Sequence, residues 1–273
     1  MTVPDQARVR WTELVDAIGD ARTRYYQEDR PTISDEEYDA LFRELIELET
    51  AHPELASGES PTQSVGGQRS EMFEPVEHLQ RMLSLDNAFS LDEVRAWSDR
   101  VVKDVGTLPA LLCELKVDGL AIDLVYRRGR LASVATRGDG RVGEDVTYNA
   151  EMISAIPQHL AGSAVADLIE VRGEIFFPTS EFERINTEQL EVGDSPFANP
   201  RNAAAGTLRQ RIDRRREDLA DVASRSRGSA RETQRIERMS AELDRAVSRL
   251  AALRLVVHGL GEHSAANLRS QSE

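Results

Sequence analysis

Apolar positions follow two different periods along the chain. From Gln6 to Tyr26 they recur at Val9, Trp11, Leu14, Val15, Ile18 and Tyr25, a spacing that predicts an amphipathic helix. Pro31 interrupts it. Ser34, with Glu37 three residues on, reads as a capping box opening a second helix. Its apolar face is Tyr38, Leu41, Phe42, Leu45, Ile46 and Leu48, and His52-Pro53 ends it. Residues 57–75 are polar and rich in Ser, Gly and Pro, as linkers are, so a domain boundary is expected near residue 70. Met82-Leu83-Ser84-Leu85 is a short apolar run, and Ser90 with Glu93 repeats the capping box ahead of a helix through about Val105.

The period then changes. Leu111–Leu115, Leu120–Tyr126 and Leu131–Thr136 alternate or run apolar, split by Asp118-Gly119 and Arg128-Gly129, and predict an antiparallel strand series. Leu168–Phe177 reads as a strand stopped by Pro178, Thr179–Leu190 as a helix, and residues 199–206 (NPRNAAAG) as a turn entering a short helix. Residues 211–249 are Arg-rich with almost no aromatic residue or proline. Ile236, Met239, Leu243, Ala246, Leu250 and Leu253 keep heptad spacing there, over fewer heptads than the roughly 3–4 of a coiled coil. A solvated helix or helical hairpin inserted in a loop is expected, with a nucleic-acid patch or a dimer helix as alternatives. Leu253–Gly261 returns to strand character. The fold class is therefore α+β, with a small helical domain over 1–70 and a sheet-bearing domain over 71–273.

Composition narrows the class. The chain has 273 residues, 40% apolar and 30% charged, which is globular rather than disordered or membrane-embedded. No run approaches the ~20 apolar residues of a membrane span, and the N-terminus has neither the basic start nor the apolar core of a signal peptide. A cytoplasmic protein and a monomer are expected. The single cysteine, Cys113, excludes a disulfide framework and a multi-cysteine zinc site. The net charge of −14 argues against a surface that grips nucleic acid throughout, although residues 201–250 carry 13 arginines against 8 carboxylates. Only two lysines exist, Lys103 and Lys116.

Lys116 lies in LLCELKVDGLAIDLVY, at the end of an apolar run and just before Asp118-Gly119. On the strand reading it is partly buried, which disfavours its ammonium form and makes the amine a nucleophile, although a surface lysine at a strand end is the plainer alternative. Residues i and i+2 of a strand share a face, so Glu114 and Lys116 would line one side of a pocket, or form a surface ion-pair ladder of little energetic weight. Arg137-Gly-Asp-Gly-Arg141 describes either a phosphate- or ribose-binding turn or an ordinary surface turn. Arg172-Gly173-Glu174 places two charges inside an apolar strand, where they need partners or a ligand. Asp35, Tyr38 and Asp39 can share a helix face close to Tyr25 and Tyr26. Such a group packs and caps a helix, or stacks on and pairs with a planar cation such as oxidised nicotinamide. The five histidines show no metal-ligand spacing, so no metal residues are assigned, and no GxGxxG opens a helix.

In this order the segments resemble the N-terminal part of bacterial NAD-dependent DNA ligases. YYQEDRPTISDEEYD is similar to that family's nicotinamide-recognising domain. SPTQSVGG, MLSLDNAF, CELKVDGLAI, ATRGDGRVGEDVT, EVRGEIFF and FANPRNAAAGTLRQ resemble successive stretches of its adenylation domain, a nucleotidyltransferase with an ATP-grasp-like antiparallel sheet. The resemblance implies that Lys116 attacks the α-phosphate of NAD to form lysyl-AMP and release nicotinamide mononucleotide (NMN). It implies that Glu114 reads the adenine amino group, that Ser84 and Leu85 lie over the adenosine, and that Arg137 and Glu174 sit near the ribose. Tyr25, Tyr26, Asp35, Tyr38 and Asp39 would hold the NMN half. It also implies Mg²⁺ and, as partner, nicked double-stranded DNA during replication and repair. The family's later lysine-bearing strands, OB-fold, four-cysteine zinc module, helix-hairpin-helix repeats and BRCT domain have no counterpart in the sequence, so a truncated adenylation domain is expected, with the Arg-rich segment at about 211–249 as an insert. Two other readings stand beside this one: a covalent nucleotidyltransferase that uses ATP, and a non-catalytic fragment that binds nucleotide or a partner.

Overall fold

The computed structural model describes residues 3–26, 32–57, 60–63, 73–83, 87–161 and 166–264; of Tyr25, Tyr26, Asp35, Glu36 and Gln63 it describes the backbone alone. The chain divides into two compact units, one formed by residues 1–82 with 118–273 and the other by 83–117.

The first unit opens with helices α1 (Asp5–Tyr26) and α2 (Asp35–Ala51). The box at Ser34 is complete: Ser34 Oγ accepts from the Glu37 N–H and Glu37 Oε2 accepts from the Ser34 N–H. Leu14, Ile18 and Leu45 are fully buried between the helices, with Trp11, Val15, Tyr38, Leu41, Phe42 and Leu48 around them. Each such burial contributes about 1.5–3 kcal/mol. Val9 and Ile46, expected on the apolar faces, are exposed instead.

Glu49, near the end of α2, is buried and accepts from Trp11 Nε1 (2.9 Å), Ser60 Oγ (2.6 Å) and Thr62 Oγ1 (2.6 Å). Burial pushes this carboxyl up, but the three donors outweigh it and hold it below its ordinary range. A carboxyl depressed in the folded state stabilises above its unfolded value and loses that contribution as pH falls through its folded value. Glu49→Ala strands three donors and should cost roughly 2–3 kcal/mol in denaturant unfolding at pH 7. The gap from the unsubstituted chain should narrow below about pH 4.

A four-stranded antiparallel sheet, in the order β3-β2-β5-β6, is built from β2 (Leu120–Arg127), β3 (Arg130–Thr136), β5 (Leu168–Phe176) and β6 (Arg254–His263). β1 (Pro75–Glu77) pairs separately with β4 (Val142–Glu144). One face of the main sheet, with Leu120, Ile122, Leu124, Tyr126 and Ile175, is the core. Covering it are α5 (Thr179–Glu191), α6 (Pro200–Leu208), α7 (Ile212–Arg225) and α8 (Ala230–Ala252), which contribute Ile185, Ala203, Leu208, Ile212 and Leu250. Strand alternation sends Ala121, Asp123, Glu170, Arg172 and Glu174 to the opposite face.

The Arg-rich segment is the expected helical hairpin, α7 and α8. Leu243, Ala246, Leu250 and Leu253 of its heptad stripe are buried in the main core, so this half of the stripe holds the hairpin to the sheet and is not a free dimer seam.

In the second unit, α3 (Leu91–Val105) starts at Ser90, whose Oγ accepts from the Glu93 N–H. Glu93 reaches back to the N–H of Phe89, one residue short of closing the expected box. No residue of α3 is buried.

The strand expected at Leu111–Leu115 is absent. Residues 108–118 form no regular element, and none of them pairs in a ladder with any described residue. Leu111, Leu112 and Leu115 are exposed, Leu115 by 92%. Apolar alternation makes a strand only where a partner strand satisfies the backbone, and among the described residues no strand pairs with this segment. Lys116 is accordingly exposed, not partly buried, and the shared strand face for Glu114 and Lys116 is not formed.

Candidate functional site

β2 runs antiparallel to both β3 and β5, so its first residues lie beside the last residues of its two neighbours. Asp118 and Gly119 lead into β2, Arg137 follows β3, and Glu174 is near the end of β5. Ala121 joins them: it pairs with Glu174, and its carbonyl accepts from the Arg137 N–H (3.1 Å). Gly119 sits directly against Ile175 and Glu174. A Cβ there would lie within 3.0 Å of the Ile175 carbonyl and of the Glu174 side chain. Arg201, in the first turn of α6, brings Nη1 to 3.9 Å from Asp118 Oδ1. Asp118, Gly119, Arg137, Glu174 and Arg201 thus converge on one end of the sheet, where two arginines and two carboxylates flank a close-packed glycine.

The turn at 137–141 is tight for reasons internal to the chain. Gly140 has φ of 88° and donates to the Arg137 carbonyl, and a Cβ on it would collide with the Met82 carbonyl. Asp139 Oδ1 accepts from the N–H groups of Arg141 and Val142 (both 2.8 Å). Burial pushes the Asp139 carboxyl up, and these two bonds more than offset it.

On the face of the sheet opposite the core, His78, Asp123 and Glu170 meet in a buried cluster. The spacing of the histidines gave no sign of this, because Asp123 and Glu170 lie 45 and 92 positions after His78, on the paired strands β2 and β5, while His78 belongs to the segment after β1. Burial alone lowers the His78 imidazole, but the Asp123 carboxylate and the Arg137 carbonyl hold it above its ordinary range. Glu170 is raised by burial and by Asp123, against the N–H of Glu262. Arg172 finds its partners in the carbonyls of Gln80 (2.7 Å) and Arg81 (3.2 Å) and in Glu170 (3.5 Å). Arg172 is therefore an anchor for the segment after β1.

Two further residues were not singled out in the sequence. Arg201 would have been suggested only by the Asn199 cap and Pro200, which fix where α6 starts. Arg209 donates to the buried Glu144 (2.9 Å), tying the end of α6 to β4.

In the α1–α2 pair, Tyr38 and Asp39 are half-buried in the first turns of α2. The Tyr38 ring stacks on Phe42 at 6.0 Å between centroids, and its hydroxyl accepts from Arg22 Nε (2.9 Å). Asp35 is the first residue of α2, and Tyr25 and Tyr26 the last of α1; their side chains lie outside the described structure, as do Ser84 and Leu85 entirely. Glu114 and Lys116 belong to the 83–117 unit, both exposed. Among the described residues, no helix is long and apolar enough to cross a membrane.

Comparison with known proteins bears on the same segments. Residues 70–223 match a family described as the NAD-dependent DNA ligase adenylation domain, and residues 4–66 match one described as the DNA ligase-like N-terminal NAD⁺-binding domain. The first match ends at residue 223, inside α7. A DNA ligase of Frankia casuarinae (strain DSM 45818 / CECT 9043 / HFP020203 / CcI3) is 53% identical over 207 residues, which is 76% of this chain and 29% of that protein.

Proposed function

Because the chain belongs to the NAD-dependent DNA ligase family, we propose that it binds NAD and transfers its AMP to Lys116. The chain spans 29% of the length of the curated relative it matches, so nick sealing, with DNA 5′-phosphate as the later AMP acceptor, is proposed for the longer protein. In the step itself the neutral Nζ of Lys116 attacks the α-phosphorus. A P–N bond forms, the P–O bond to NMN breaks, NMN leaves on its phosphate oxygen, and the lysine proton passes to solvent.

Each other residue has a binding task. Glu114 accepts from the adenine amino group; Arg137 and Glu174 hold the ribose; Ser84 and Leu85 cover the adenosine. Tyr25, Tyr26, Asp35, Tyr38 and Asp39 fix the NMN half opposite the attacking amine, a positioning effect. Mg²⁺ supplies charge neutralisation at the phosphates, and the half-exposed carboxylate of Asp118 is an oxygen donor of the kind it takes. The ATP-grasp-like form of the adenylation domain, the domain limits 1–70 and 71–273, and a cytoplasmic location belong to the same proposal.

The observation that carries this reading is the meeting of Arg137, Glu174 and Asp118-Gly119 around Ala121, inside a segment that matches the adenylation family. Thermal unfolding with NAD, NMN and AMP separately tests it. Saturation at about 100 Kd stabilises by roughly 2.7 kcal/mol, a shift of several degrees. All three should stabilise the chain. Tyr38→Ala should remove the effect of NMN and spare that of AMP, and Glu174→Ala the reverse. No shift with any of the three would favour a fragment that binds no nucleotide.

A further inference from the structure

The buried cluster at His78, Asp123 and Glu170 has no part in the nucleotide reading and stands independently of it. The three side chains are 0%, 2% and 0% exposed, and one nitrogen or oxygen of each lies within 4.8 Å of the others. His78 Nε2 is 3.0 Å from the Arg137 carbonyl. A carbonyl only accepts, so Nε2 carries the proton, and Nδ1 faces Asp123 Oδ2 at 3.0 Å. Asp123 Oδ1 is buried without a hydrogen-bond partner. Glu170 takes the N–H of Glu262 on Oε2 (2.5 Å), and on Oε1 the N–H of Gln80 (3.5 Å) and the Arg172 guanidinium (3.5 Å).

Arg172 offsets one of the two carboxylates. The second faces Nδ1 in a buried setting, where an uncompensated carboxylate is costly. A cation at that point removes the cost, whether it is a proton on Nδ1, a proton held between Asp123 and Glu170, or a metal ion. Three features favour the metal. An imidazole whose other N–H is fixed by a backbone carbonyl is the usual arrangement of a metal-bound histidine. One imidazole nitrogen and two carboxylates suit a borderline divalent ion. The unpartnered Asp123 Oδ1 supplies a free donor atom in the cluster.

We propose that His78 Nδ1, Asp123 and Glu170 form a structural site for a divalent transition-metal cation of the Zn²⁺ class. The ion joins the segment after β1 to β2 and β5, and through the Nε2–H bond it holds the carbonyl of Arg137 and so the 137–141 turn. On binding, any proton on Nδ1 leaves to solvent.

The test titrates the chelator-stripped full chain with Co²⁺ alone. Visible d–d absorption should saturate at a single equivalent and be displaced by Zn²⁺. His78→Gln should abolish it, Asp123→Asn should weaken binding at least tenfold, and His258→Gln, an exposed position, should leave it intact. A measurement on the unsubstituted chain guards against variants that fail to fold: ¹⁵N NMR of His78 should show Nδ1 without its proton at saturating Zn²⁺. No Co²⁺ absorption, absorption that survives in His78→Gln, or a retained Nδ1 proton would each overturn the proposal and leave a protonated imidazole–carboxylate cluster.

Discussion

Lys116→Ala is expected to take up no AMP from NAD while still binding it within a few-fold of the unsubstituted affinity. The amine is the only nucleophile in the proposed step, and the remaining contacts to NAD come from other residues. Lys116 is exposed, in a segment without regular structure, and has no part in the buried core, so its truncation should leave the unfolding free energy within about 0.5 kcal/mol of the parent. Intact-mass measurement after incubation with NAD and Mg²⁺ reads the first half of this expectation, and calorimetric NAD titration the second. An adduct that survives the substitution would move the acceptor elsewhere. Lost NAD binding would make Lys116 a ligand contact and not the acceptor.

Gly119→Ala should be strongly destabilising. The added Cβ meets the Ile175 carbonyl, which is held in the β2–β5 ladder and cannot move aside as a flexible side chain could. Overpacking of this kind costs typically 1–3 kcal/mol, and because the collision is with backbone the upper end, about 3 kcal/mol, is expected. The strain falls at the sheet end where Arg137 and Glu174 flank Ala121, so nucleotide binding should weaken together with stability. Equilibrium unfolding and NAD titration on the same sample check both. Gly259→Ala, where a Cβ meets nothing within 4 Å, is the matched control and should change little.

Most of the fold was legible because its signals are local. The capping boxes, the Asp118-Gly119 and Arg128-Gly129 breaks and the two hydrophobic periods placed most of the longer helices and main-sheet strands close to their observed positions. Leu111–Leu115 was misread because its alternation is that of a strand, whereas a strand also needs a ladder partner that no local pattern reports. The heptad stripe of α8 was ambiguous for a similar reason: its spacing says that one face is buried, not against what, and the answer is the main core.

The site was legible in part. Arg137 and Glu174 were singled out from a glycine-rich turn and from charge inside a strand, and the register brings them to a common neighbour, Ala121. Arg172, noticed by the same logic, serves the backbone of residues 80 and 81. The cluster at His78, Asp123 and Glu170 was invisible, because its members are far apart in sequence and each looks ordinary alone.

The central claim is that this chain takes AMP from NAD onto Lys116. Incubating the unsubstituted chain with NAD carrying a labelled adenylate, then mapping peptides, tests it most directly. The account predicts label on the peptide containing Lys116 with an equal amount of NMN released, and faster labelling from NAD than from ATP. An unlabelled chain, label on another residue, or labelling that prefers ATP would contradict it.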